Sequence, residues 1–373
     1  MVTIINIILF ILILGILVFV HEFGHFITAK KNGVFIHEFS IGMGPAIKTW
    51  KGKDGIDYSL RALPIGGFVQ MAGEIYEDDD TKTVPKDKFM CNKKWWQRLM
   101  ILCAGVFNNF LLALFLLFFI SLIWGAQTLT PQIYHVVEDS AVAKTQVKET
   151  VYDEAEDKEV EVITDGIVDG DIIVAVNGKK TKTWDKAQLL LLLKDKDGTY
   201  DITVKHANGK TATYAVKPDI EKDEKGNERQ VFGIQIQSTM EKGFLPAIKF
   251  AFQKFASISE QMWLTLANLF TGKLSINNLS GPVGIYTVVG ETRKAGVASI
   301  LYLTAYLSLN LGIMNILPIP ALDGGHVLFL LIEMITKKKV NAQVESITTT
   351  IFFFLLIALM IYITIHDIFT LIL

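Results

Sequence analysis

The sequence has only two cysteines, Cys91 and Cys103, in 373 residues. Cys103 falls in an apolar run and Cys91 in a lysine-rich loop, so no disulfide framework organises the fold and cysteine usage leaves the compartment open. There is no excess of charge of either sign. Lys and Arg number 36 against 38 Asp and Glu, a formal net charge of −2, which excludes a broad basic surface for nucleic acid. The first apolar run, residues 4–20, has no basic segment before it and no A-x-A-like site after it. It therefore reads as a retained span and not as a removable leader. No internal repeat relates the two halves of the chain, which argues against a transporter with a proline-broken span at a cation site.

What is abundant is apolar surface. Hydrophobic residues make up 51% of the chain and the mean hydropathy is +0.38, a composition that implies several membrane spans together with some soluble mass. Four runs are long enough to cross a bilayer core of about 30 Å at about 1.5 Å per residue: residues 3–28, 99–124, 297–317 and 347–365. Trp95, Trp96 and Arg98 form an interfacial anchor ahead of the second. Between the first two, residues 33–73 carry many glycines and short β-like runs (34–41, 58–63, 68–71), which suits either a surface that accepts an extended peptide or a plain connection. The charged residues 77–94 read as an exposed loop.

The first run continues into His21-Glu22-Phe23-Gly24-His25. Residues four apart share a helix face, so His21 and His25 can offer two imidazole nitrogens to one metal ion. Glu22 stands where a carboxylate can take a proton from water at that ion. Two His and a Glu in an apolar helix are costly without a partner or a wet cavity. The alternative is a chance match whose histidines merely reach for headgroups, so a third ligand decides. Asp323 lies in Pro318-Ile319-Pro320-Ala321-Leu322-Asp323-Gly324-Gly325, where prolines and glycines break the third span. Irregular backbone is tolerated at membrane depth only where it lines a cavity, and a carboxylate there completes a His, His, Asp set with a fourth position open. Asp323 could also be a plain helix cap, and His326 is a rival ligand. Asn108 and Asn109 are adjacent amides in the second span, at least one of which is expected to face the bundle interior, and Asn315 before the break could hydrogen-bond substrate or orient a ligand.

Residues 128–218 have the composition of a soluble domain. Residues 165–178 read as turn, strand and tight Asn177-Gly178 turn, followed by a helix at 184–193 and strands at 200–206 and 211–216. The acidic stretch 149–161 reads as a solvated insertion. Residues 244–270 have helical apolar spacing interrupted by Lys249, Lys254 and Glu260, the pattern of an interfacial helix. Twelve Lys and Arg between the first two spans, and Lys337, Lys338 and Lys339 between the last two, place those loops in the cytoplasm. The soluble domain then lies outside, and the HExxH motif and Asp323 share the cytoplasmic end of their spans.

These motifs resemble the site-2 protease family of intramembrane zinc metalloproteases, in particular its bacterial regulator-of-sigma-E branch. The matching stretches are HEFGH at 21–25, Pro64-Ile65-Gly66-Gly67-Phe68-Val69, Gly105 with Asn109, Leu279-Ser280-Gly281-Pro282-Val283-Gly284, and Asn315 through Gly325. They run in the family's order over nearly the whole chain. Val106 stands where the family usually has proline, and there is room for one PDZ domain where some relatives carry two. The resemblance implies Zn2+ held by His21, His25 and Asp323, with Glu22 as catalytic acid/base. It implies a membrane-re-entrant β-loop, with Gly66 and Gly67 near substrate, and an extracytoplasmic PDZ-like α+β domain acting as a size filter. The expected architecture is thus a polytopic α-helical membrane protein of four spans. Its parts are an N-terminal membrane part (1–127), a PDZ-like domain (128–218), a linker with the interfacial helix (219–296) and a C-terminal membrane part (297–373). The expected location is the plasma membrane and the expected partners are single-span membrane proteins, with anti-sigma factors and leftover signal peptides both compatible. A non-catalytic metal-binding or PDZ scaffold is the alternative, and it has no need for Glu22.

Overall fold

The computed structural model describes residues 2–73, 84–153, 158–193, 198–222, 228–237, 239–272, 274 and 279–372. Among these residues the helices are α1 (Val2–Lys31), α2 (Trp95–Trp124), α3 (Trp184–Leu192), α4 (Phe244–Phe270), α5 (Pro282–Lys294), α6 (Val297–Ile316), α7 (Asp323–Thr336) and α8 (Ala342–Ile372). The chain divides into two compact units, Met1–Ile120 with Ser275–Leu373, and Ser121–Leu274.

Among the described residues four helices are long and apolar enough to cross a membrane: Thr3–Lys31, Trp95–Trp124, Val297–Ile316 and Ala342–Thr370. All four expected spans are therefore helices of a polytopic membrane protein. Small residues let α1, α2 and α6 approach closely. A Cβ on Gly24 would lie 2.3 Å from the Ala104 carbonyl oxygen, and one on Gly312 would lie 2.5 Å from the Phe110 ring. The third span stops at Ile316, where Pro318 and Pro320 cannot continue the ladder. The backbone turns through Ala321 at φ 87 and resumes as α7 at Asp323.

Between α1 and α2 lie two long strands, β1 (Ile36–Lys51) and β2 (Asp57–Met71). Their register shows that both fold back on themselves. Residues 38–41 face 67–70 on one side and 57–60 on the other, while 48–51 face 57–60. Four short segments thus lie side by side in the order 46–51, 57–61, 36–41, 67–71. Gly42 makes the bend possible: its φ is 90, and a Cβ there would sit 2.6 Å from the Leu63 carbonyl oxygen. Glu38 sits mid-sheet and is held by Ser59 and by both oxygens to Arg61 Nη2, at 2.8 and 2.9 Å. At the tip, Lys30 Nζ lies 2.6 Å from Asp54 and holds that carboxyl down to about 2. Residues 77–83 of the charged loop fall outside the described residues, and in the remainder Val84, Phe89 and Met90 are buried, so that part is not the exposed loop its charge suggests.

The second unit is built on a four-stranded sheet in the order Thr211–Val216, Tyr200–Lys205, Ile172–Val176, Lys179–Lys180. The turn between the last two uses Asn177 at φ 49 and Gly178 at φ 71, the paired positive angles that suit a two-residue hairpin. Alternate residues of these strands, Ile173, Tyr200, Ile202 and Val204, are buried with α3 residues Ala187 and Leu190 in one core. The unit extends further than residues 128–218, because Ile234–Ile236 pairs with Ile133–Val136 and Met240–Glu241 pairs with Ala126–Gln127. The acidic stretch also differs from a plain insertion: Val147–Asp153 and Lys158–Asp165 pair as a hairpin, with residues 154–157 outside the described ones.

Helix α4 belongs to this unit as well. Its buried positions, Ala247, Phe250, Ala251, Lys254, Ser257 and Ile258, recur at helical spacing. Lys254, one of the charges that interrupt the apolar spacing, is 7% exposed and lies 2.7 Å from Asp185 at the start of α3. Ser257 donates to the same carboxylate at 2.9 Å.

Candidate metal centre

Helix α1 brings His21 and His25 onto one face a single turn apart, each 7% exposed. His25 Nδ1 lies 2.8 Å from the main-chain carbonyl oxygen of Ile101 in α2. A carbonyl only accepts, so Nδ1 carries the proton and the Nε2 lone pair faces inward. The two Nε2 atoms are 3.3 Å apart. Oδ2 of Asp323 lies 3.1 Å from His21 Nε2 and 3.3 Å from His25 Nε2. Donors on a tetrahedral zinc with arms of about 2.05 Å are separated by about 3.3 Å, so the spacing fits such an ion. The chemistry fits too. Buried Oδ2 of Asp323 has no hydrogen-bond donor, and a cluster of inward-facing lone pairs is repulsive until a cation joins it. Among the described residues, His21, His25 and Asp323 form a group that could hold a metal ion.

Each ligand owes its place to local backbone. Asp323 is the first residue of α7 and Leu322 holds the N-cap position, so Asp323 is not the helix cap that the sequence also allowed. A Cβ on Gly324 would lie 2.2 Å from the Leu317 carbonyl oxygen, so glycine there lets the break fold tightly behind the ligand. On the other side, a Cβ on Gly105 would lie 2.3 Å from His25 Nε2 and 2.8 Å from His21 Nε2. Any side chain at 105 would occupy the ligand cluster itself.

Hydrogen bonds from α2 and α6 fix the orientation. Asn109 is fully buried, with its side-chain amide 3.1 Å from His21 Nδ1. Its main-chain carbonyl accepts from Ser308 Oγ at 2.8 Å, and the neighbouring Asn108 donates to the Val20 carbonyl at 3.1 Å. Glu22 is half-buried and outside the ligand cluster. A Cβ on Gly67 would meet Glu22 Cγ at 3.4 Å and the Ser40 carbonyl oxygen at 2.7 Å, which sets the outermost sheet segment directly against Glu22. Gly66, at φ 85, packs beside Met43.

Of the residues expected at the site, His21, Glu22, His25, Asp323, Asn109 and Gly67 come together. Asn315 sits half-buried in the last turn of α6 and donates no hydrogen bond to the ligands. His326 is engaged elsewhere, with Nδ1 3.2 Å from Glu345 in a separate cavity of about 660 Å3. The Ile101 carbonyl and Ser308 carry no sequence signal, since one is main chain and the other an ordinary small helix residue. Gly105 stood only as part of a motif, and its contact with both imidazoles emerges from the packing.

The chain is similar to known proteins over nearly its whole length. The model of peptidase family M50 matches residues 9–359. The regulator of sigma-W protease RasP from Bacillus subtilis is 29% identical over 97% of this chain and 98% of its own. The zinc metalloprotease RasP from Bacillus licheniformis is 28% identical over 97% and 98%. A Clostridium acetobutylicum protein provisionally named a zinc metalloprotease is 34% identical over 97% of each chain. A match of that length, over a chain whose HExxH helix meets an aspartate from a proline-broken span, shows that the protein belongs to peptidase family M50, the site-2 protease family.

Proposed function

We propose that the protein is a zinc-dependent intramembrane endopeptidase that cleaves single-span membrane proteins within or beside their transmembrane segments. The observation that carries this reading is the convergence of His21 and His25, from one apolar helix, and Asp323, from a helix break, on one point beside a carboxylate outside that cluster. His21, His25 and Asp323 would hold the ion. Zinc in a three-ligand site supplies Lewis acidity to a carbonyl and acidifies water towards neutrality. Glu22 takes the proton released on attack and returns it to the leaving amine. Burial of the imidazoles and of Asn109 excludes bulk water from the ligand side, and the Ile101 and Asn109 contacts keep each ring in its working orientation.

The sheet between α1 and α2 supports a substrate role. Ile41, Met43, Ile47, Leu60 and Leu63 are all at least 40% exposed, a surface suited to lipid and unusual for a water-facing sheet. We read it as a membrane-re-entrant loop. Among the described residues no strand pairs with the far side of segment 67–70, and an unwound substrate can add there as a further strand beside Glu22. The unit Ser121–Leu274 is read as a PDZ-like domain. Positive charge on the loops at 30–98 and 337–339 supports a cytoplasmic metal site with that domain outside, in a plasma membrane. Substrates of the anti-sigma class suit this reading, given a relative named for regulation of sigma-W, and so do remnant signal peptides.

The test is cleavage of a model single-span substrate by purified wild type and Glu22→Gln in detergent, with metal counted in both. Loss of cleavage with zinc retained supports the enzyme. Zinc bound in both proteins with no cleavage by either, across several substrates, favours a metal-binding scaffold.

A further inference from the structure

Away from the metal centre, the end of α7 forms a second chemically distinctive place. Helix α7 closes with Lys337 in the left-handed region, φ 55, which turns the chain back so that Lys337, Lys338 and Lys339 gather around the helix end. They line a cavity of about 410 Å3 with Trp95 and Arg98 of α2 and with Leu330, Glu333 and Met334 of α7. Both helices belong to the same compact unit.

The lining is divided in two. Leu330, Met334 and Trp95 supply an apolar wall, and Trp95 is 52% exposed. The other wall carries four cations against the single carboxylate of Glu333, and that carboxylate is already committed. One oxygen lies 2.6 Å from Arg98 Nη1 and the other accepts the Val340 amide at 3.2 Å. Lys339 donates to the Cys91 carbonyl at 3.2 Å. Lys337 and Lys338 have no side-chain partner among the described residues, and Arg98 Nε is buried without an acceptor. The cavity therefore holds uncompensated positive charge next to apolar surface, beside tryptophans at the end of a membrane span.

From this juxtaposition we propose that the groove between the start of α2 and the end of α7 is a binding site for an anionic glycerophospholipid, its phosphate held by Lys337 and Lys338 and its acyl chains laid along Leu330, Met334 and Trp95. Charge complementarity selects the occupant: a zwitterionic lipid brings its own cation and leaves the lysines unbalanced, whereas an anionic headgroup neutralises them.

The test uses the full chain in neutral detergent, with lipid retention measured by native mass spectrometry. The probes are phosphatidylglycerol and phosphatidylcholine of matched chain length, with inorganic phosphate alone as a third. Wild type should retain phosphatidylglycerol about tenfold more strongly than phosphatidylcholine, and Lys337→Gln with Lys338→Gln should bring the two to parity. Lys337→Arg with Lys338→Arg should keep the preference, and metal content should be unchanged throughout. Equal retention of both lipids by wild type would overturn the proposal, as would a preference that survives in the glutamine variant. Equal binding of inorganic phosphate would identify a phosphate site in place of a lipid site and overturn it too.

Discussion

Nδ1 of His21 and the side-chain amide of Asn109 lie 3.1 Å apart in a fully buried contact between α1 and α2. If His21 gives Nε2 to a metal, Nδ1 must carry the proton, and its partner must then be an acceptor. Only the amide oxygen of Asn109 can serve. With the nitrogen turned to His21 instead, Oδ1 is left buried without a donor. A metal-loaded His21 therefore selects the amide orientation with oxygen facing the ring, and the resting hydrogen bond becomes a preference for one tautomer.

The consequence can be measured as metal affinity. Asn109→Leu removes the acceptor while keeping the volume, and outer contacts of this kind typically govern affinity by about 10- to 100-fold. Asn109→Asp retains an acceptor and should hold metal at least as well as wild type. Competition against a graded series of chelators would rank the three proteins. If leucine proved equal to wild type, the contact would be packing alone.

Gly105 makes a sharper prediction. Alanine is the better helix former by about 1 kcal/mol, so on propensity alone Gly105→Ala should stabilise α2. In this fold its methyl would lie 2.3 Å from His25 Nε2, closer than any carbon can approach. The variant should fold, with unfolding temperature near that of wild type, yet its zinc per chain should fall from near one towards zero. Elemental analysis alongside thermal unfolding separates the two effects.

Much of this was legible beforehand, for physical reasons. Long apolar runs have few ways to be satisfied in a bilayer, so the four spans followed from composition, and a fixed helical repeat put His21 and His25 on one face. Asp323 could be found because two prolines and an acid in a span demand an explanation. What the sequence could not convey depends on three-dimensional register. The bend at Gly42 that makes four segments of two strands, the Ile101 carbonyl and the burial of Lys254 all arise from partners far along the chain. The extent of the second unit was missed for the same reason, since Ile234–Ile236 completes a sheet begun a hundred residues earlier.

Lys254 and Asp185 offer a test of that hidden packing. Their side chains are 9% and 20% exposed, and removing one member of such a pair strands the other's charge at a cost of roughly 3 kcal/mol. Lys254→Met alone should lower the stability of the second unit clearly. Adding Asp185→Leu should recover most of the loss, because the uncompensated carboxylate is then gone. A denaturant double-mutant cycle on the full chain reads the coupling directly.

The substrate edge can be probed at Gly67. A Cβ there would lie 2.7 Å from the Ser40 carbonyl oxygen, so Gly67→Ala must push segment 67–71 outward from β1 and shift it against Glu22. Metal content should stay at the wild-type level, since no ligand is touched, while cleavage of a single-span substrate falls about tenfold or more through misplacement of the bound strand. A variant with full cleavage would separate the sheet edge from the reaction.

Asp367 carries the last prediction, at a residue hidden in the sequence because it lies just beyond the apolar run taken as the fourth span. In the structure it falls within the span Ala342–Thr370 and is 8% exposed. Its Oδ2 accepts two main-chain amides, from Gly281 at 2.9 Å and from Gly284 at 2.8 Å. Those amides open α5, so the carboxylate satisfies donors that a helix cannot satisfy for itself and sits at the positive end of the helix dipole. At the far end of α5, Arg293 donates to Asn6 of α1 at 2.8 Å, and the helix is thereby fastened to two spans by polar contacts. Asp367→Leu leaves the buried Gly281 amide and the part-buried Gly284 amide unpaired, at about 1–3 kcal/mol for the buried one, whereas Asp367→Asn keeps an acceptor and loses only charge. Thermal stability in detergent should therefore fall in the order wild type, asparagine, leucine. Limited proteolysis should follow the same order, with the leucine variant cut first near residues 279–284. Equal cutting of all three proteins would mean that α5 is held by its apolar face against Ile13 and Leu17 alone.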